Sequence, residues 1–158
     1  MVILYVWNAH ATYGSPGHAA LEVLSRGRIY ISWWPVDFSF GKPSVPFGGS
    51  VQSSPHLNLQ EDVQYEKRQP DHRLGVYGLN EKAILDFWRV WNQHNRYRLY
   101  NQSCATTVAD ALTAGGGNKC APSYSGRIFS WTPAAVLAYA LAINRAATAG
   151  NASGLPLA

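Results

Sequence analysis

The sequence predicts an α+β domain in which a small antiparallel sheet packs against two to three helices, one of them bearing a cysteine at its first turn. Three observations predict it. The first third of the chain carries short β-branched and aromatic runs separated by turn residues, as in Val2–Asn8, His18–Leu24 and Arg28–Trp34. Helical periodicity appears only later, at Glu81–His94, at Cys104–Leu112 and after Pro133. A chain of 158 residues with 47% hydrophobic content can bury one proper core, so one domain over residues 1–149 is expected, with 150–158 as a flexible tail.

Composition excludes several classes. The net charge is +4 and only 14% of residues are charged, with Lys67-Arg68 the one adjacent basic pair. That is no nucleic-acid stripe, and no nucleic-acid partner is expected. The opening run Met1–Trp7 is apolar but has no basic region before it, so it reads as a strand and not as a signal peptide. No stretch approaches the roughly 20 apolar residues of a membrane span. Localisation is therefore expected to be cytoplasmic as made, with export left to a specialised secretion system. Two cysteines, Cys104 and Cys120, without histidines at close ligand spacing make no zinc site. No metal and no cofactor are expected.

Taken in order, Val2–Asn8 has the continuous apolar character of a strand buried on both faces. Gly14-Ser15-Pro16-Gly17 is a turn cluster, and His18–Leu24 the strand that follows. Arg26-Gly27 turns the chain into a returning strand, Arg28–Trp34, which Pro35 ends. Residues 35–71 hold most of the prolines and no sustained period. They are expected as a long loop, with Glu61–Arg68 a polar, solvated stretch. Arg73–Leu79 is a short strand, Asn80 caps the helix Glu81–His94, and Tyr97–Tyr100 leads on in extended form.

Asn101-Gln102-Ser103-Cys104 then opens the central helix. Ser103 is a good N-cap, and Cys104, Val108, Ala111 and Leu112 share one inward face. Gly115-Gly116-Gly117 stops the helix. A thiol at a helix N-terminus sits at the positive end of the dipole, which favours thiolate and so a nucleophile. Thr132-Pro133 opens the last helix, with proline where its missing N–H does no harm.

A nucleophilic cysteine needs a base, and the base needs an orienting group. Among His10, His18, His56, His72 and His94, His18 is the best placed, because it opens a strand directly after a glycine turn. His10 is second choice. His56 and His72 lie in polar segments and are expected solvated, and His94 ends a helix.

The order Gly17-His18-Ala19-Ala20-Leu21-Glu22-Val23, hairpin to Tyr30-Ile31-Ser32-Trp33-Trp34-Pro35, then Asn101-Gln102-Ser103-Cys104 and its helix resembles the circularly permuted NlpC-type papain-like superfamily. Lecithin retinol acyltransferase-like proteins and bacterial amidases share it. The resemblance implies a permuted papain-like fold, with Cys104 as nucleophile and His18 as general base. It also implies a polar orienting residue on the next strand, where Ser32 is the nearest match and Tyr30 the next. Relatives carry histidine, asparagine or glutamine there, a departure that would suit a non-catalytic binding domain. The Cys104 N–H, with Asn101 or Gln102, would supply the oxyanion hole, and Glu22, Tyr30, Trp33 and Trp34 would line the cleft. Glu22 is four strand residues from His18, too far for contact, and would pair with an arginine.

The leading expectation is a cysteine amidase or endopeptidase acting on peptidoglycan stem peptides, as an antibacterial effector with a muropeptide substrate and an immunity protein as partner. The alternative is a thiol acyltransferase or lipid hydrolase, for which an aromatic cleft around Trp33, Trp34 and Phe38 would hold the acyl chain.

Overall fold

Val2–Trp7 has no polar face, and it forms β1, buried along its whole length. Such a strand needs cover on both sides, and the rest of the chain supplies it. The computed structural model describes all residues except 26, 38–44, 46–48, 95, 125–129 and 154–158. In it β1 lies between β2 (His18–Val23) and β6 (His72–Val76), with β3 (Ile29–Ile31) outside β2, all antiparallel. Among the described residues the architecture is α+β, with five helices and two small antiparallel sheets.

Alternation divides the sheet into two faces. Leu4, Val6, Ala19 and Leu21 join the main core with Val108 and Leu112 of α3 (Cys104–Ala114) and Val136, Tyr139 and Ile143 of α5 (Pro133–Ser153). Ile3, Tyr5, Trp7, Ala20 and Tyr30 form a smaller cluster on the other face, packed against Leu59 and Val63 of α1 (Leu59–Glu66). His18 pairs with Trp7 at the end of that second face.

The structure departs from the sequence reading in three places. The strand expected over Arg28–Trp34 is divided at Ser32. Its first half, β3, pairs with β2, whereas β4 (Trp33–Pro35) joins β5 (Val51–Pro55) and β7 (Arg96–Tyr97) in a second sheet. The supposed solvated stretch is helix α1, whose inward residues are two carboxylates one turn apart, Asp62 and Glu66. Asn58 caps it by accepting from the Glu61 N–H at 3.0 Å, and Glu61 reaches back to the Leu57 N–H at 2.8 Å. Hydrophobic periodicity is blind to a helix whose buried face is acidic. Finally, α5 continues to Ser153, past the Gly150 at which a tail was expected. No helix among the described residues is long and apolar enough to cross a membrane.

The other helices follow their capping signals. Asn80 caps α2 (Glu81–Trp91) by accepting from the Ala83 N–H, and Ile84 and Trp88 are its buried residues. After α3 the chain forms a short α4 (Gly117–Cys120) and a 3-10 turn at Pro122–Tyr124, in the stretch expected to be irregular.

Gly17 fixes the entry into β2. Its φ is +86°, and a Cβ there would stand 2.7 Å from the Trp7 carbonyl oxygen. The Ser15 hydroxyl accepts from the Gly17 N–H at 3.1 Å and donates to Glu66 at 3.0 Å, tying this turn to α1. Gly17→Ala should therefore cost about 2 kcal/mol or more in stability, read as a melting temperature lowered by roughly 5–10 °C. An unchanged melting temperature would show that the turn is not constrained in this way.

Candidate active site

The site is organised by a carboxylate that the sequence did not single out. The Asp62 side chain has no exposed surface, yet five donors converge on it. Oδ2 accepts from the Tyr30 hydroxyl at 2.6 Å and lies 3.1 Å from His18 Nε2. Oδ1 accepts from the Ser32 hydroxyl at 2.9 Å and from Trp34 Nε1 at 2.8 Å, and lies 2.7 Å from His56 Nδ1. Tyr30, Ser32 and Trp34 are alternate residues across the break between β3 and β4, so the division of that strand aims three donors at one carboxylate. Burial alone would raise the Asp62 pKa, but His18, then the hydrogen bonds from His56 and Tyr30, outweigh it and hold the carboxyl far below its usual range.

His18 is fully buried. Its ring is stacked on Trp34, with centroids 4.1 Å apart, and tilted against Trp7 at 5.4 Å. Nε2 is taken by Asp62, with the Ser32 hydroxyl 3.1 Å away. Nδ1 is buried and makes no ordinary hydrogen bond, and the ring also interacts with the Cys104 thiol. Burial disfavours the imidazolium, but the Asp62 carboxylate and Cys104 prevail and push its pKa up to about 10.

Cys104 begins α3, as its sequence predicts, behind the Ser103 cap, whose hydroxyl accepts from the Thr106 N–H at 3.3 Å. Burial pushes the thiol up, yet the His18 charge, the Ala19 N–H and the Tyr97 hydroxyl bring it below its ordinary value. The fold therefore brings the Cys104 thiol and the His18 imidazole together, with a carboxylate behind the ring, and each shifts the other toward its charged form. Tyr97 was not foreseen. Its hydroxyl lies 3.9 Å from the Cys104 Sγ and accepts from the Cys104 N–H at 3.4 Å, so the amide expected to stand free for an oxyanion already faces a phenol.

The remaining sequence candidates divide. Ser32 and Tyr30 reach the site, but as donors to Asp62, and Trp34 does the same while stacking on His18. Trp33 turns into the core, edge-on to Trp88 at 5.9 Å and to Trp91 at 6.3 Å, so it lines no cleft. Glu22 accepts from the Tyr5 hydroxyl at 2.8 Å and pairs with Arg28 at 3.7 Å. Asn101 and Gln102 line a cavity of about 570 Å³ together with Arg96, Arg98 and Asp110, and among the described residues neither is hydrogen-bonded to Cys104. Burial pushes the Asp110 carboxyl there up to about 6. Phe38 lies outside the described residues. His56, expected to be solvated, is only 14% exposed. The exposed His10 bridges Ser15 through its backbone, and His72 meets Asn8 at 3.3 Å. Among the described residues no cluster of three His, Cys, Asp or Glu side chains has the arrangement of a metal site.

The charge on Asp62 is what keeps His18 protonated, and the sign of its effect on stability follows. With its pKa raised to about 10, His18 contributes stability that is complete below the ordinary histidine value near ~6.5 and is lost as pH rises through about 10. In a Cys104→Ala background, which removes the coupled thiol and its share of the shift, stability should still fall as pH rises above the ordinary histidine value, because Asp62 remains beside the ring. Adding Asp62→Asn should abolish the fall, lower the His18 titration seen by NMR, and cost about 3–5 kcal/mol in all. A His18 titration unmoved by Asp62→Asn would contradict the coupling.

Searches of curated proteins and of solved structures give no match. The family model of the IcsB middle domain matches residues 51–154, a span that carries His56, Asp62, Tyr97 and Cys104, with His18 ahead of it on β2. More than half of the chain is matched, and the protein belongs to the IcsB middle domain family.

Proposed function

We propose that the protein is a cysteine-dependent acyltransferase that moves a fatty acyl group from an activated donor to a nucleophile on a second substrate. Cys104 is the nucleophile, His18 the acid–base and Asp62 the orienting carboxylate. The observation that carries this reading is a complete Cys-His-Asp arrangement from which water is nearly excluded: His18 and the Asp62 side chain have no exposed surface and Cys104 only 8%. An acyl-enzyme shielded from water is protected from hydrolysis and can wait for its acceptor. Family supports the same direction, since IcsB is a Shigella effector acyltransferase of the NlpC/papain-like cysteine family, and not a peptidoglycan hydrolase. Cell-wall cleavage, the leading expectation from sequence, gives way to the alternative. The non-catalytic reading rested on a missing third residue, a place this reading assigns to Asp62, 3.1 Å from His18 Nε2.

In the first half-reaction the Cys104 thiolate attacks the donor carbonyl and the carbon–leaving group bond breaks. The leaving group takes the proton from His18 Nδ1, which leaves a neutral imidazole and an S-acyl cysteine. In the second, His18 removes a proton from the acceptor nucleophile, which attacks the acyl carbon and expels the Cys104 thiolate. The imidazolium–thiolate pair is restored. The Tyr97 hydroxyl and the Cys104 N–H, which face each other in the free protein, are the donors nearest the developing oxyanion, a type of contact worth about 3 kcal/mol of barrier. A histidine strand ahead of a cysteine helix suits the permuted papain-like order, and delivery as a secreted effector suits the family.

The test is intact-mass analysis after incubation with a long-chain acyl thioester. One acyl group should appear on wild-type protein and none on Cys104→Ala, and His18→Ala should slow its formation by roughly 10³-fold. Cleavage of muropeptides without any acyl-enzyme would overturn the proposal in favour of the hydrolase.

A further inference from the structure

His56 sits in a niche that a surface histidine would not need. It follows β5 directly, its ring is stacked on Trp34 with centroids 5.5 Å apart, and it stands edge-on to Tyr65 at 5.1 Å. Trp34 and Tyr65 also touch each other, at 4.9 Å, so the imidazole is held by an aromatic corner. Within that corner its Nδ1 lies 2.7 Å from Asp62 Oδ1.

We propose that His56 is a positioning residue for the reaction: its Nδ1–H, with the Trp34 N–H and the Ser32 hydroxyl, anchors Oδ1 of Asp62 so that Oδ2 stays on His18. The inference rests on the assignment of Cys104, His18 and Asp62 as the reacting group and adds a fourth member to it.

Charge balance gives the niche its purpose. Cys104 and His18 form a neutral thiolate–imidazolium pair, so Asp62 contributes one buried negative charge. Once Cys104 carries the acyl group, His18 is neutral and that charge has lost its cation. Of the five donors on Asp62, Tyr30, Ser32 and Trp34 are uncharged, and His18, having given up its Nδ1 proton, donates only as a neutral Nε2–H. His56 is the fifth, and its contact with Oδ1 at 2.7 Å does not depend on the change at His18. The titratable groups facing it are Asp62 and Tyr65, both from α1, with Asp37 acting on Tyr65 from beyond. From β4 it meets only the Trp34 ring. The arrangement keeps Asp62 in place through both half-reactions.

Two substitutions separate the donor from the packing. His56→Asn keeps an N–H where Nδ1 stands but gives up the aromatic contacts, whereas His56→Phe keeps the ring and removes the donor. The measurement is the pH dependence of Cys104 alkylation by iodoacetamide, with melting temperatures recorded alongside. His56→Phe should move the inflection up by about one unit and slow alkylation at the wild-type midpoint several-fold, up to roughly tenfold. His56→Asn should stay within about twofold of wild type even if it melts earlier. The opposite pattern, or equal inflections in all three proteins, would overturn the positioning role and leave His56 as packing. A wild-type thiol with no lowered inflection would instead overturn the nucleophile assignment beneath it.

Discussion

The structure depends on one buried negative charge. A carboxylate removed from water is strongly disfavoured unless it is paired and fully hydrogen-bonded, and Asp62 meets that requirement only because five side chains from three segments reach it. Tyr30, Ser32 and Trp34 come from a strand that breaks between two sheets, His56 from the turn after β5, and His18 from the first residue of β2. Helix α1 delivers the carboxylate to the face of the sheet opposite α3 and α5. Several features of the fold thus share one cause: the divided strand, the acidic inner face of α1, and the aromatic corner around His56 and His18.

The same charge explains the chemistry. Without it, full burial would strip His18 of its proton, and the thiol would lose the cation that lowers its pKa. Trp34 serves both ends, since its N–H donates to Asp62 while its ring lies against the His18 imidazole. A cation over an aromatic face gains further stabilisation where water is excluded. The pairing of Cys104 with His18 is thus a property of the packed interior, in which Cys104 is only 8% exposed.

Much of this was legible in the sequence where the signal was local. The Ser103 cap and the inward stripe of Cys104, Val108 and Leu112 predicted α3 to its first residue, and Gly17-His18 predicted the start of β2. What escaped notice was the polar interior. Asp62 lies in a run of Gln, Glu and Asp that hydrophobic periodicity assigns to solvent, although Asn58 followed three residues later by Glu61 is a capping signal that announces α1. Ser32 was chosen for its place after His18 in the strand order, and it does reach the ring, but its partner is a carboxylate 30 residues away that no local pattern connects to it. Tyr97 and His56 were hidden for the same reason: their neighbours in space are remote in sequence. Trp33 and Trp34, adjacent and alike in composition, point in opposite directions, one into the core and one onto the imidazole.

The central claim is that His18, held charged by Asp62, makes Cys104 a thiolate inside a closed site. Its most direct test is the rate of Cys104 alkylation against pH in wild-type protein and in His18→Ala. The account predicts a wild-type inflection well below the free-thiol value of about 8.5, moving to or above that value when the imidazole is removed. Equal inflections near the free-thiol value in both proteins would contradict it and leave Cys104 as a core residue.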